Sequence, residues 1–582
     1  MGLVFHKLLE FQEAQSIIMK NASAIDEIEN IPLVQSCGRI SATDVHSMNN
    51  LPLFTRSQVD GFAVIASDTM KASYNSPVKL RMAGETNIGE PAVKFTGKKT
   101  CIKVPTGGVI PVGADAVVPF EDTEEFENTI SIFRPVVKFN ELSSAGIDVI
   151  KGEKIIGKYM MVDLRNVAVA AATGIYSIDV LRKLKIGIIS TGNELLVPGS
   201  KYLQGKVYDS NGLSLETGLN RYSAFEIKNY GIIQDNYDDI KNAIEKSISE
   251  NDVTLTIGST SAGEHDMVYK ILGEYKPGIL FHGIRVKPGK PALFARSGKK
   301  IIFGLPGFPV SSMMIFYSLV LPALFKMLNC NYHMLSVDAI TAERFELHNG
   351  NTDLLLVKLF KKENSYHAFQ ARGNSGSISR VSKATGYSII NSKSEYLGVN
   401  SKISVNLFSP EIAEILIAGQ YLPLMENMPY TVTNNSIFVE QGYNEIIKSF
   451  SSGIADAIVW NYPELPEPGN YEAVAHTDIH YGYIYSKRDY ADIALLYNGS
   501  GLNKMPSNLK NNASKIYLGN PQIICDYVAN LRCDAGITYK IYADMYGLDY
   551  SDIGINRFYI YLNRSSGHYN DLKDAFDKLG FK

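Results

Sequence analysis

The feature that most limits how this chain can fold is an alternation of strand and helix patterns that begins at Leu184. The run LKIGIIS is apolar on both faces, which is typical of a buried parallel strand. Helical patterns near Gly212–Arg221 and Asp238–Ser249 separate it from the strand-like runs DVTLTIG and KKIIFGL. Strands joined through helices return parallel to one another, so residues 183–332 are predicted to form a doubly wound α/β domain.

The rest of the 582-residue chain is too long for one core, so the predicted fold class is multidomain α/β and β. Short alternating runs broken by Gly and Pro predict β-rich modules, and α/β patterns return near the C-terminus. Locally, we expect a strand at Ile31–Val34 and an Ala-rich helix that ends before Gly174. Besides the central domain, the predicted divisions are a first subdomain over 1–45 and 141–182, a β-rich subdomain over 46–140, a small barrel-like domain over 333–406 and an appended α/β domain over 407–582.

Charge and cysteine content exclude some classes of function. The chain has 57 basic and 60 acidic residues, so it lacks the basic surplus of a general nucleic-acid binder. Its 5 Cys include no pair at CxxC spacing, which argues against a zinc ribbon and favours a reducing compartment. The N-terminus lacks a signal-peptide core, and the apolar run Met313–Met327, interrupted by Pro322, predicts a buried helix. We expect a cytoplasmic protein with no nucleic-acid or membrane partner.

Three polar loops follow strand ends in the central domain. They are Ser190-Thr191-Gly192-Asn193-Glu194, the segment GSTSAGEHD that contains Ser259, Ser261, Gly263 and Asp266, and the segment GLPGFPVS that contains Pro306, Gly307, Pro309 and Ser311. Ligands of open α/β sheets bind beyond the carboxyl ends of strands, where Gly and Ser let backbone N–H groups approach an anion. One such loop is usually only a turn, but three in one domain predict an anion-binding edge.

Carboxylates beside an anion-binding edge would repel an anionic substrate unless a divalent cation lies between them. Mg²⁺ prefers one or two carboxylates together with phosphate oxygens. Glu194, Asp209 and Asp266 are therefore the candidate metal ligands. The alternative for Asp266, at about even odds, is a helix N-cap.

The segment RVKPGKP places Arg285, Lys287 and Lys290 in a short cationic turn. A solvated basic turn is the simpler interpretation. Beside an anion-binding edge, the same residues would form an anion clamp.

Two Gly- and Pro-rich segments in the N-terminal half predict only turns when they are considered alone. They are LPLFTRSQVDGFAV, which contains Ser57 and Asp60, and VPTGGVIPVGADAVV, which contains Thr106.

Taken together and in order, the motifs resemble those of one family. LPLFTRSQVDGFAV resembles the Ser-x-Met-Asp-Gly-Tyr-Ala signature of the MoeA/gephyrin E-domain family, and PTGGVIPVGADAVVPFED resembles its Thr-Gly-Ala…Pro-x-Gly-Ala-Asp-Ala-Val-Val motif. SSAGIDVIKGE, STGNELLVPG, YDSNG, GSTSAGEHD, RVKPGKP and GLPGFPVS are similar to the remaining signatures, and ARGNSGSISRVSKATG fits the family's last β domain. The resemblance spans about residues 1–406.

The resemblance implies an elongated four-subdomain homodimer, whose active sites lie between the α/β domain of one chain and the Asp-Gly-bearing domain of the other. It implies a molybdopterin molybdenumtransferase that inserts molybdate into adenylylated molybdopterin with Mg²⁺ and releases AMP, downstream of a molybdopterin adenylyltransferase. By motif match, the catalytic positions would be Asp60, Thr106, Asp148, Glu194 and Asp266. The implied substrate contacts, together with the strand-end loops, are Ser57, Ser190, Thr191, Gly192, Asp209, Ser259, Ser261, Gly263, Arg285, Lys287, Lys290, Pro306, Gly307, Pro309 and Ser311.

The chain departs from the family pattern at a few positions. Asn193 replaces the usual Asp, Phe308 the usual Asn, Val59 the usual Met and Phe62 the usual Tyr. Asn193 removes a carboxylate from the Mg²⁺ region. Phe308 puts an apolar ring in the substrate loop, which leaves the preference for metal or pterin open, with tungstate as the alternative to molybdate. The alternative function is a non-catalytic carrier or sensor of molybdopterin or an oxyanion, but the presence of Asp60, Glu194 and Asp266 favours the enzyme.

Residues 407–582 lie outside the family's basic pattern. YVANLRCDAGITYKIYADMYGLDY resembles the closing segment of periplasmic-binding-protein-like domains. The resemblance implies a domain that holds a small ligand, and a scaffolding domain is an equal alternative.

Overall fold

The computed structural model describes residues 8–91, 93–95, 97–258, 267–373, 375–391, 395–419, 432, 435–441, 443–461, 469–485, 492–496, 514–518 and 521–579. The chain divides into two compact units. The first comprises Met1–Arg285 and Gly289–His333, and the second comprises Val286–Pro288 and Met334–Lys582.

Two separate stretches of the chain form the first subdomain. Its elements are α1 (Phe11–Asn21), β1 (Ile28–Pro32), β2 (Val45–His46), β11 (Lys154–Ile156), α3 (Leu164–Ala172) and β12 (Ser177–Leu181). Strand β1 pairs with β12 and β2 with β11, both antiparallel. Helix α3 confirms the predicted Ala-rich helix before Gly174. The predicted strand at Ile31–Val34 is wrong in position, because the chain turns into a 3-10 helix at Leu33–Gln35, closed by the Ser36 hydroxyl donating to the Leu33 carbonyl.

The β-rich subdomain is a six-stranded sheet in the order β7-β4-β6-β5-β9-β8, beside the short pair β10–β3. Its elements are β3 (Arg56–Ser57), β4 (Gly61–Val64), α2 (Ala66–Thr69), β5 (Val78–Glu85), β6 (Thr100–Val104), β7 (Ala116–Pro119), β8 (Thr123–Phe126), β9 (Thr129–Ile132) and β10 (Leu142–Ser143). The central strand β4 is buried along its whole length. The turn that enters β4 carries Asp60, so a rigid sheet fixes that turn.

The central domain has the predicted doubly wound fold. Its elements are β13 (Leu184–Thr191), β14 (Leu195–Leu196), β15 (Val207–Tyr208), α4 (Ser210–Asn220), β16 (Phe225–Ile233), α5 (Tyr237–Glu250), β17 (Val253–Ile257), α6 (Met267–Leu272), β18 (Pro277–His282), β20 (Leu293–Ser297), β21 (Lys300–Leu305), α7 (Pro309–Ile315) and α8 (Leu321–Met327). The sheet order is β16-β13-β17-β21-β20-β18. The first four strands are parallel to one another, and β20 runs antiparallel to both of its neighbours, β21 and β18. The carboxyl ends of β13, β17 and β21 therefore share one edge.

A π-helical turn at Phe316–Val320 joins α7 and α8 into one helix, Pro309–Met327. Within the described ranges, this is the single helix long and apolar enough to cross a membrane. Because 78% of its most apolar window is buried in the protein, it is the core helix predicted from the sequence.

The second unit begins with a barrel. Its elements are β19 (Val286–Lys287), β22 (Ser336–Thr341), β23 (Phe345–Glu346), β24 (Thr352–Lys362), β25 (Ser365–Gln370), α9 (Ser379–Lys383), β26 (Gly386–Asn391), β27 (Tyr396–Leu397) and β28 (Lys402–Leu407). The sheet order is β19-β24-β25-β22-β28-β26, and β26 also pairs with β24. This last pairing closes a five-stranded barrel, with β19 added at one side.

The appended domain is one eight-stranded sheet in the order β30-β29-β31-β36-β32-β35-β33-β34. Its elements are β29 (Ile415–Gly419), β30 (Ser436–Glu440), α10 (Tyr443–Ser452), β31 (Ala457–Trp460), β32 (Tyr471–Tyr485), β33 (Asp492–Leu496), β34 (Ser514–Leu518), α11 (Pro521–Ala529), β35 (Ala535–Tyr539), α12 (Lys540–Tyr546), β36 (Tyr550–Asn563) and α13 (Tyr569–Lys578). Strands β29, β30 and β31 form one parallel group, and β33, β34 and β35 form another. The long antiparallel strands β32 and β36 lie between the two groups. Each parallel group forms one lobe of the domain, and β32 and β36 connect the two lobes.

The barrel and the appended domain share a core within the second unit. Phe360 and Phe369 of the barrel are fully buried in one cluster with Trp460 of the appended domain. The Lys362 ammonium donates to the Gly453 carbonyl at 2.7 Å, just after the C-terminus of α10. The partial negative charge at a helix C-terminus favours a cation there. The appended domain is thus packed on the barrel rather than tethered to it.

Candidate functional site

Three strand ends meet at the carboxyl edge of the central sheet. Gly258 has φ +88°, and a Cβ there would lie 2.6 Å from the Thr191 carbonyl oxygen. A Cβ on Gly307 would lie 3.8 Å from the Gly258 Cα. The first and third predicted loops therefore converge with the start of the second. The rest of the second loop, with Ser259, Ser261, Gly263 and Asp266, lies outside the described residues, as does the N-cap alternative for Asp266.

Helix α4 starts beside this edge and is capped by a carboxylate. Asp209 Oδ1 accepts a hydrogen bond from the Gly212 amide at 2.8 Å, and the side chain is nearly buried. A Cβ on Gly212 would lie 2.5 Å from Asp209 Oδ2 and 2.6 Å from Ser190 Oγ. Gly212 therefore allows the Asp209 carboxylate and the Ser190 hydroxyl to approach the first turn of the helix together.

Buried polar atoms without hydrogen-bond partners lie at the same edge. They are Ser190 Oγ, Asn211 Oδ1 and Ser312 Oγ, in side chains that are 0%, 7% and 1% exposed. A buried polar group without a partner costs free energy, and such groups are rare in folded proteins. Their concentration where three loops converge indicates a site shaped for a polar ligand.

The start of α7, where Ser311 lies, differs from that of α4. The side chain of its N-cap residue, Phe308, offers no hydrogen-bond acceptor, and Pro309 at the first helical position has no N–H. The Phe308 ring is 63% exposed. The first N–H groups of this helix are thus left without a side-chain cap, which suits an acceptor-bearing ligand.

The first loop presents an exposed carboxylate. A Cβ on Gly192 would clash with the Glu194 carboxylate at 2.6 Å, and Gly192 has φ +151°. Asn193 exchanges two 3.1 Å hydrogen bonds with Asp235, through its own amide and its side-chain oxygen. Asn193, which replaces the usual Asp of the family, therefore connects the first loop to the turn after β16.

In the β-rich subdomain, the structure brings two predicted catalytic residues together. The Thr106 amide donates a 2.7 Å hydrogen bond to Asp60 Oδ1. The Ser57 carbonyl accepts from the Gly107 amide at 2.8 Å, and the Ser57 hydroxyl donates to the Val59 carbonyl at 2.5 Å. The hydroxyl of Ser57 is thus engaged within its own turn.

Asp148 lies against the same segment of the β-rich subdomain. Its amide donates to the Leu51 carbonyl at 3.0 Å, and the Gly146 amide donates to the Pro52 carbonyl at 3.1 Å. The Asp148 side chain is exposed. The loop of Asp148 therefore contacts the start of the segment that carries Asp60, whereas the loop of Thr106 contacts its end.

The three predicted cations do not share one environment. Arg285 forms a 3.3 Å ion pair with Glu10, and the Lys290 carbonyl accepts from the Ile284 amide. Lys287 lies in β19, which pairs with β24 in the second unit, whereas Arg285 and Lys290 belong to the first unit. Their joint role as an anion clamp stays a prediction.

The described residues supply carboxylates for a cation but not a complete cluster. Among them, no group of three or more His, Cys, Asp or Glu side chains is placed to hold a metal ion. Glu194 and Asp209 flank opposite ends of the β14–β15 ladder, and the third predicted ligand, Asp266, is outside the described ranges. Oxygen donors of this kind fit Mg²⁺ better than a softer metal.

Asn211 lies in the motif YDSNG and Ser312 ends the predicted loop that follows β21, but neither was among the predicted site residues. Asn211 Nδ2 donates to the Gly307 carbonyl at 2.7 Å, so it links the start of α4 to the loop before α7. Asn211 lies two residues after Asp209, and Ser312 directly follows Ser311, which were both predicted. Their signal was their place in the first turns of helices that begin at the sheet edge.

Three family models match consecutive parts of the chain. The MoeA N-terminal region (domain I and II) matches residues 9–174, a probable molybdopterin binding domain matches 187–326, and the MoeA C-terminal region (domain IV) matches 338–408. The convergent strand ends, Asn211 and Ser312 all lie in the second match.

Relatives and solved structures agree with these matches. A molybdopterin molybdenumtransferase of Staphylococcus epidermidis is 30% identical over 352 residues, covering 60% of this chain and 83% of the relative. One from Haemophilus influenzae is 30% identical over 321 residues, covering 55% and 78%. A crystal structure of a molybdopterin biosynthesis MoeA protein from a Pyrococcus species has a TM-score of 0.62 and 31% identity, covering 69% of this chain and 100% of that one.

Proposed function

The chain belongs to the MoeA family, and we propose that it is a molybdopterin molybdenumtransferase, which joins molybdate to adenylylated molybdopterin and releases AMP in molybdenum cofactor biosynthesis. The observation that carries this proposal is the set of buried, unpartnered polar atoms of Ser190, Asn211 and Ser312 at the convergent strand ends. Relatives that bear this activity in their names align with the same part of the chain.

The residues of the site suit a reaction between two anions. Hydroxyls of Ser190 and Ser312 and the uncapped amides of α7 can donate hydrogen bonds to phosphate or oxyanion oxygens. No protein nucleophile is needed, because the dithiolene sulfurs of the substrate bind the metal. The buried cysteines agree with this, since burial raises the pKa of Cys101 to about 12 and that of Cys525 to about 11.

We propose that Mg²⁺ assists, held by Glu194, Asp209 and Asp266 together with substrate oxygens. When bound, it would neutralise charge on the adenylyl linkage. Asp60, positioned by the Thr106 amide, would act on the same linkage from the second chain of a homodimer. The protein would work in the cytoplasm and receive its substrate from a molybdopterin adenylyltransferase.

This proposal is tested by incubating the full chain with adenylylated molybdopterin, Mg²⁺ and molybdate, and then measuring molybdenum in the isolated pterin product. One molybdenum per pterin is expected. A pterin product free of metal, with substrate still bound to the protein, would instead support the carrier or sensor alternative.

We also propose that the appended domain holds a small ligand between its lobes. The carboxyl end of β31 pairs with β36, and the carboxyl end of β35 pairs with β32. Both lobes therefore end beside the two strands that connect them. Asn461, directly after β31, is 7% exposed and its Oδ1 has no hydrogen-bond partner. Thermal unfolding with AMP, whose amino and hydroxyl groups can donate to this oxygen, should show stabilisation, and Asn461→Ala should remove it. The absence of any shift would favour a scaffolding domain.

A further inference from the structure

The side-chain amide of Asn211 has a fixed orientation at the convergent strand ends. The Gly307 carbonyl can only accept a hydrogen bond, so the amide atom 2.7 Å away from it must be the donor Nδ2. The other atom of the amide, Oδ1, is therefore the one without a partner. Because the side chain is 7% exposed, this oxygen has lost most of its access to water.

An unpartnered amide oxygen selects the chemistry of its ligand. It accepts hydrogen bonds and cannot donate them, so a phosphate or oxyanion oxygen cannot satisfy it. The groups that satisfy it are N–H and O–H donors.

The hydroxyl of Ser312, in contrast to the Asn211 Oδ1 atom, can donate a hydrogen bond. Ser312 lies in the first turn of α7, where its amide donates to the Phe308 carbonyl at 3.0 Å, and its hydroxyl has no partner. No carboxylate caps this helix. The Ser312 hydroxyl can donate a hydrogen bond to an anionic oxygen, which the Asn211 Oδ1 atom cannot do.

We propose that Asn211 is a specificity-determining residue, whose Oδ1 accepts a hydrogen bond from an N–H of the substrate's heterocyclic ring while Nδ2 holds the Gly307 loop in place. This inference rests on the proposed function, because it takes the pterin as the ring-bearing ligand. It places the ring of that ligand beside Asn211, at the start of α4.

The test compares two ligands, because a purely structural role of Asn211 would affect both equally. Dissociation constants are measured for adenylylated molybdopterin and for AMP, which lacks the pterin, with the full chain and with Asn211→Ala. We expect the variant to bind adenylylated molybdopterin about ten-fold more weakly, and to bind AMP with a much smaller loss, because only the contact of Nδ2 with the Gly307 loop is lost for both ligands. Equal weakening for both ligands, or no weakening for either, overturns the proposal.

Asn251 provides the matched control. It is also a buried asparagine of the central domain, 3% exposed, but it precedes β17 at the amino edge of the sheet and donates to the Ser247 carbonyl at 2.9 Å. Asn251→Ala should lower thermal stability and leave both dissociation constants unchanged. If the unsubstituted chain binds adenylylated molybdopterin but does not release AMP, the proposed function fails and the ligand comparison still decides the role of Asn211. If the unsubstituted chain does not bind it, both fail.

Discussion

Asp60 Oδ1 accepts a 2.7 Å hydrogen bond from the Thr106 amide, which joins the Asp-Gly turn to the Gly- and Pro-rich loop that follows β6. The two segments are separated by 46 residues in sequence. Because an asparagine side chain also offers an Oδ1 acceptor, this hydrogen bond can be kept while the negative charge is removed.

The Asp60→Asn variant should therefore fold normally and lose catalysis. We expect AMP release to fall at least about 100-fold, with pterin affinity retained. The control is Asp115→Asn, because Asp115 Oδ1 likewise accepts from a backbone amide, that of Ala66 at 2.6 Å, in the same subdomain. Loss of pterin binding in Asp60→Asn, but not in the control, would assign Asp60 to ligand binding instead.

A homodimer with shared sites predicts complementation between inactive variants. In a 1:1 mixture of Asp60→Asn and Glu194→Gln chains, mixed dimers carry one intact site, so about a quarter of the full activity should return after subunit exchange. Either variant alone should remain inactive. Failure to recover activity, with mixed dimers demonstrated by mass, would place both residues in a site within one chain.

Two glycines of α4 provide a paired test of the crowded site. Gly212→Ala should displace the Asp209 carboxylate and the Ser190 hydroxyl, which would lie 2.5 and 2.6 Å from the new Cβ, and should reduce AMP release. A Cβ on Gly218 would have no atom within 4 Å, so Gly218→Ala should stabilise the helix by about 1 kcal/mol without changing activity. Unchanged activity in Gly212→Ala would show that the approach of these groups does not matter for catalysis.

Phe308 leaves the start of α7 uncapped, so Phe308→Asn should supply a side-chain acceptor. We expect the free energy of unfolding to rise by about 1 kcal/mol, measured by urea titration. Val112→Asn is the control, because Val112 is 94% exposed and lies outside the helices and strands. Equal effects of the two substitutions would contradict the capping argument.

Asp252 should contribute to stability in a pH-dependent way. It is buried, which raises its pKa, but hydrogen bonds from Arg182, the Lys185 amide and Lys300 outweigh burial and lower the pKa below 3.8. Its stabilisation is therefore complete above the unfolded value of 3.8 and is lost as the pH falls through the lower folded pKa. Asp252→Asn should be less stable than the unsubstituted protein at pH 7, and the difference should narrow on acidification.

The sequence predicted the central fold well, because its strands carry strong local signals. The apolar run from Leu184 became the buried strand Leu184–Thr191, and the helical pattern at Asp238–Ser249 became the helix Tyr237–Glu250. The antiparallel edge formed by β18 and β20 was not predicted, since hairpin pairing there depends on tertiary contacts. The same holds for the shared core of Phe360, Phe369 and Trp460, which joins residues distant in sequence.

The candidate site was only partly predictable. Loop motifs indicated Ser190, Thr191, Asp209 and Gly307, but the role of Asn211 emerges only when its amide is found against the Gly307 carbonyl, 96 residues away in sequence. The YDSNG motif contains this asparagine, but nothing in the local sequence shows that its amide reaches the Gly307 carbonyl.

The measurement that tests the central claim most directly is AMP release from adenylylated molybdopterin by the full chain with Mg²⁺, in the presence and absence of molybdate or tungstate. We predict release that depends on the oxyanion, and the more effective oxyanion identifies the preferred metal. Tight pterin binding without AMP release under either oxyanion would contradict the account.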